Sequence, residues 1–87
     1  MPERRYEYRL DILDALSRHG VLPTDSTPPE LVHEFVSDLY RYEIRRLRGR
    51  LLAGEFPKTE YSGRVVGLRM RYQIISMRAN DWVKTTT

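Results

Sequence analysis

Eighty-seven residues are enough for one domain and no more, and a chain this short buries a smaller share of its surface than a 150-residue domain does. Apolar residues make up 40% and charged residues 31%, and no apolar run nears the roughly 20 residues that cross a bilayer, so a membrane-spanning chain is excluded. There is no cysteine, and His19 and His33 are the only histidines, which excludes a disulfide framework, a thiolate metal site, a cysteine nucleophile and most zinc sites. The first residues, MPERRYEYR, lack the apolar segment of a secretion signal, so a cytoplasmic location is expected.

The first element is a helix over about residues 3–19. Tyr6, Leu10, Leu13 and Leu16 recur at helical spacing, with Ile12 widening the stripe. Pro2 and Glu3 suit its start, Arg18 and His19 suit the negative end of its dipole, and Gly20 suits a left-handed cap. A loop over residues 21–27 follows. The second helix spans about residues 28–53. Thr27 is its expected N-cap, with Pro28 at the first helical position and Glu30 placed for a capping box. Its apolar positions are Val32, Phe35, Val36, Leu39, Tyr40, Ile44, Leu47 and Leu51, and Gly54 is its stop. Gly49 lies inside it and weakens it by about 1 kcal/mol relative to alanine, which leaves a bend there open.

Glu55 to Lys58 form a turn, and Thr59 is the expected cap of a third helix over about residues 59–74, with Tyr61, Val65, Leu68 and Tyr72 on its apolar side. So short a connection makes the second and third helices antiparallel neighbours. The fold class is therefore all-α: a three-helix domain over residues 1–78 with a long central helix and an antiparallel helical hairpin. Residues 79–87 are expected to be a partly disordered tail, with Trp82 as its one possible anchor and the Lys84-Thr-Thr-Thr end frayed. Gly63 and Gly67 form a small-residue pair, with Gly49 and Ala53 as a possible facing strip.

Within the hairpin, Leu47, Leu51, Gly54-Glu55, Thr59-Glu60-Tyr61 and Leu68 form a local pattern. Over residues 44–72 it resembles the short helical hairpin known as the SHOCT domain, with Phe56-Pro57 in place of that motif's aliphatic pair. The resemblance implies an oligomerisation or interaction role and no catalysis.

Charge is unevenly spread. Residues 1–40 carry four basic and eight acidic side chains, a balance of −4, whereas residues 41–78 carry ten and three, a balance of +7. Thirteen of the fifteen basic residues are arginine, whose planar fork holds carboxylates and phosphates in two-pronged contacts. An acidic half and a basic half suit head-to-tail or antiparallel self-pairing. The expected function is a small non-enzymatic interaction module that self-associates or docks on a protein partner. Its contact residues are Tyr40, Arg41, Tyr42, Ile44, Arg45, Leu47 and Arg48, since tyrosine and arginine are enriched at interface hot spots. The alternative is a nucleic-acid accessory protein holding phosphates with Arg41, Arg45, Arg48, Arg64, Arg69 and Arg71. Glu7, Asp11 and Asp14 stand at cation-binding spacing, but solvation is the ordinary fate of such carboxylates. No catalytic residue, metal site, cofactor or small-molecule substrate is inferred.

Overall fold

The structure is a computed structural model that describes residues 5–84. It is all-α, with α1 over Leu10–Arg18, α2 over Pro29–Leu52 and α3 over Tyr61–Arg71. Short 3-10 turns cover Lys58–Glu60, Gln73–Ser76 and Ala79–Trp82. α2 and α3 form the antiparallel hairpin, and α1 packs on it together with the C-terminal segment.

The first helix begins seven residues later than the periodicity suggests. The described residues before Leu10 are not helical, because distant segments supply partners for their backbone: the Tyr6 N–H donates to the Asp25 carbonyl at 2.7 Å, and the far end of the chain takes the rest. Tyr8 bridges Val83 in antiparallel fashion. The Arg9 N–H donates to the Trp82 carbonyl at 3.0 Å, and the Lys84 N–H donates to the Glu7 carbonyl at 2.8 Å. The expected helical positions Glu3 and Arg4 lie outside the described residues. With its start displaced, the helix buries Ile12 and Leu16 beside Tyr8, while Leu10 is 78% exposed. Gly20 ends the turn at φ +74°, its N–H donating to the Ser17 carbonyl at 2.9 Å, the left-handed termination expected of it.

α2 starts one residue later than expected, and Pro28, which has no side-chain acceptor, is its cap. The capping box does not form. The Thr27 hydroxyl is engaged by the Thr24 N–H at 3.0 Å, and the Thr27 carbonyl accepts the Tyr8 hydroxyl at 2.6 Å. The helix runs unbroken through Gly49 for 24 residues, about 36 Å at 1.5 Å per residue. Gly54, at φ +74°, turns the chain out of it.

The turn after α2 is an active part of the core. Phe56 is buried, with the Arg64 guanidinium 4.2 Å and the Arg50 guanidinium 5.7 Å from its ring centre. Thr59 sits inside the Lys58–Glu60 turn and caps nothing; α3 starts two residues later and stops at Arg71, three residues short of the expected end. Gly63 and Gly67 face open space, as does Gly49, so the small-residue strips do not meet one another within the chain.

The domain also extends further than residue 78. Trp82 is fully buried, and its indole N–H donates to the Ile74 carbonyl at 3.2 Å. His33 packs on that indole at 5.0 Å, and its Nε2–H donates to the carbonyls of Ile75 and Met77 at 3.0 and 2.9 Å. The segment expected as a tail is thereby fastened to α2 through Trp82 and to the N-terminal segment through Val83 and Lys84; Thr85 to Thr87 lie outside the described residues.

The buried core residues are Tyr8, Ile12, Leu16, Val32, Val36, Leu47, Phe56, Leu68, Tyr72 and Trp82, joined in one cluster, with Pro29 buried at the start of α2. They are not evenly distributed. The described chain measures 55 × 20 × 17 Å with a radius of gyration of 16.0 Å, against about 12 Å for a compact domain of this length. The body, at the N-terminal half of α2, is covered by α1 and the C-terminal turns. The hairpin extends from it as a two-helix arm whose own buried residues are Leu47, Phe56 and Leu68.

Candidate interaction surface

α2 is buried along one side only. Val32, Val36 and Leu47 are buried, and Leu39, Tyr40, Ile44 and Leu51 pack half-buried against them. α3 and the C-terminal turns pack on α2. The residues of the opposite side, from Glu30 to Leu52, are exposed, and that side is not uniformly polar. Leu31, Phe35 and Tyr42 stand on it at helical spacing, 61%, 54% and 58% exposed. Leu22, also exposed, extends the patch beyond the start of the helix, where a shallow groove of about 260 Å3 runs between the Val21–Pro23 segment and Leu31 and Phe35. Leu52 is exposed at the other end.

The seven residues expected at a partner surface divide. Arg41, Tyr42, Arg45 and Arg48 are exposed on the outward side. Tyr40 and Ile44 are half-buried, with the Tyr40 ring 5.4 Å from that of Tyr72. Leu47 is buried in the hairpin seam and is withdrawn from any contact surface, because it is the residue of α2 that meets Leu68 and Phe56 in the common cluster. Leu31 and Phe35 are surface residues that the sequence reading missed or placed in the core. The signal was present: 31, 35 and 42 form a second stripe, distinct from the 32, 36 and 47 stripe that α2 buries.

Beside the apolar stripe runs a charged one. Glu30, Glu34 and Asp38 occupy its N-terminal half, and Arg41, Arg45 and Arg48 its C-terminal half, each set at steps of three or four. Asp38 and Arg41 pair with each other at 2.6 Å. Among the described residues, Glu30, Glu34, Arg45 and Arg48 form no ion pair, although Arg5, Arg9, Arg18, Arg50, Arg64, Arg78 and Lys84 all do.

The six arginines of the phosphate reading do not converge. Arg41 is paired with Asp38, and Arg64 with Glu60 at 3.2 Å. Arg69 and Arg71 open onto different clefts. Arg69 lines an apolar groove of about 490 Å3 with Tyr40, Met70, Tyr72 and Ile75, whereas Arg71 lines a polar cleft of about 210 Å3 with Arg46, Arg50 and Glu43. Tyr72, on the apolar groove, has its hydroxyl pushed up from the ordinary tyrosine range by burial and by the nearby Glu43 charge, against an opposing effect of Arg71. The acidic trio of the first segment does not converge either: Glu7 pairs with Lys84, Asp11 with Arg9 and Asp14 with Arg18. No helix of the described residues is long and apolar enough to cross a membrane. No family model, curated protein or solved structure matches this chain.

Proposed function

We propose that this chain is a small helical interaction module that works by protein–protein association, with itself or with a protein partner, through the outward side of α2. The observation that carries this reading is the stripe of Leu31, Phe35 and Tyr42, each more than half exposed, on the longest helix of the fold. An apolar row on the outside of a small domain is stabilised by being covered, and aromatic and arginine side chains beside it are the residue types that dominate binding energy. The likeness of residues 44–72 to a SHOCT-like hairpin supports the same class of role.

Solution mass by light scattering at near-physiological salt tests it. A species of twice the chain's 10.4 kDa supports self-association. A monomer that also captures no protein ligand through wild-type α2, relative to a Phe35→Ser and Tyr42→Ser variant, overturns it.

A second reading rests on the cleft that gathers Arg46, Arg50 and Arg71, within a segment of net charge +7. There the chain would hold nucleic-acid phosphates as an accessory protein. Phosphate neutralisation makes affinity fall steeply with log salt, whereas an apolar contact is nearly insensitive to salt. Oligonucleotide titration at two salt concentrations therefore separates the two readings.

A further inference from the structure

We infer that the partner of the outward α2 face is a second copy of this chain, bound antiparallel about a two-fold axis at the middle of the helix. This rests on the interaction reading above and adds to it an occupant and a register.

The argument is one of self-complementarity. In an antiparallel pair related by a two-fold axis, residue i of one copy lies opposite residue j of the other when both are equally far from the axis. Placed at Leu39–Tyr40, the axis sets Glu30 opposite Arg48, Glu34 opposite Arg45, and Asp38 opposite Arg41, all on one stripe. The three pairs share that midpoint to within half a residue, less than about 1 Å of helix rise. The same axis brings Phe35 within about 3 Å of helix rise of the point opposite Tyr42, near enough for two aromatic rings to meet, and sets Leu31 within about one residue of Gly49, whose missing side chain leaves room for it. Leu39–Tyr40 is also within about one residue of the middle of Pro29–Leu52, so the two helices overlap along their length.

Two independent features of the single chain agree with this pairing. Glu30, Glu34, Arg45 and Arg48, the four charges that this pairing would satisfy from outside, all lack an ion pair among the described residues, as do Glu43, Arg46, Lys58, Arg69 and Arg71 off this stripe. And of the eight large apolar side chains that are exposed, Leu22, Leu31, Phe35, Tyr42 and Leu52 lie on or beside this face, the first three toward one end and Leu52 at the other, where a two-fold axis superposes them. A parallel arrangement sets acidic residues opposite acidic and basic opposite basic, which disfavours it.

The test uses the full chain and sedimentation over a range of concentrations. Wild type is expected to form a dimer. Glu34→Arg alone, or Arg45→Glu alone, places like charges at two symmetric points and should weaken the dimer about tenfold or more. The double variant Glu34→Arg/Arg45→Glu re-forms both pairs and should recover most of the affinity. Register is read by cross-linking, for which the cysteine-free chain gives no background. Leu31→Cys/Gly49→Cys should oxidise to a covalent dimer, and Leu31→Cys alone should not. These two positions lie about 27 Å apart on one helix, too far for a bridge within a chain. A wild-type monomer at all concentrations overturns this register and self-association together. A dimer that is indifferent to the charge reversals, or that cross-links through Leu31→Cys alone, overturns the antiparallel register and leaves self-association standing.

Discussion

Trp82 and Tyr8 join the two ends of the described chain, and both make measurable predictions. Trp82 fills the space between α2 and the C-terminal turns, fully buried, with its N–H and the neighbouring His33 ring N–H spent on backbone carbonyls. Replacing it with alanine removes one of the largest side chains in the core and should destabilise the fold by about 3–5 kcal/mol. Against a total of about 5–15 kcal/mol for a typical domain, that is enough to unfold much of the population. A urea midpoint within error of wild type would show that the C-terminal segment is not part of the cooperative unit. Tyr8 predicts an alkaline transition. Burial, and after it the charge of Glu30, push its hydroxyl up to about 12, above the ordinary value of about 10. The folded state thus holds this proton more tightly than the unfolded chain does. Its contribution is complete below pH 10 and is lost between pH 10 and about 12, at up to about 1.4 kcal/mol per pH unit. Tyr8→Phe should lower stability at neutral pH by about 1 kcal/mol through the lost bond to Thr27, and should flatten the alkaline fall. An unchanged alkaline slope in that variant would assign the loss to other groups, Tyr72 first among them.

The helices themselves were legible where their causes are local. Gly20 and Gly54 terminate α1 and α2 as their position after apolar runs implies, and both take positive φ. The period over Val32 to Leu51 gave α2 nearly to its ends, and Gly49 does not interrupt it. The failures have a common cause, contacts distant in sequence. Residues 5–9 share the helical period of α1, but Glu7, Tyr8 and Arg9 pair with residues 82–84, more than 70 residues away, and Tyr6 with Asp25, and no local window contains that information. The role of His33 likewise depends on Ile75 and Met77, more than 40 residues away in the chain. The outward face of α2 is half legible in the sequence: Arg41, Tyr42, Arg45 and Arg48 are there, but Phe35 falls among the apolar positions of the helix and only the packing separates its stripe from the buried one. Gly63 and Gly67 test the element scale. Both lie inside α3 with open space where a Cβ would stand. Gly63→Ala or Gly67→Ala should each stabilise the helix by up to about 1 kcal/mol and raise the melting temperature by roughly 4–8 °C. A lower melting temperature would mean that the strip packs against another chain.

At the scale of the whole molecule, the feature to explain is a gradient of burial along a 55 Å rod. At one end, α1, the first half of α2 and the C-terminal turns enclose Tyr8, Ile12, Leu16, Val32, Val36 and Trp82. At the other, two helices share Leu47, Phe56 and Leu68, with arginines laid over Phe56 and exposed ion pairs, which contribute only about 0–1 kcal/mol each. A two-helix arm cannot enclose a core, so opening its tip exposes little and requires little free energy. Amide exchange should therefore be slowest in α2 around Val32–Val36 and at the turn holding Trp82, and fastest from Leu51 to Tyr61. Covering the outward face of α2 by a second copy would raise protection along Leu31 to Gly49 as protein concentration rises, because association stabilises whatever it binds in proportion to the logarithm of concentration. It would leave the order unchanged, since Ala53 to Tyr61, most of the tip, lie beyond the proposed contact. Uniform protection from Val32 through Tyr61 at low concentration would show instead that arm and body open as one, and that the hairpin seam carries more stabilisation than its three buried residues suggest.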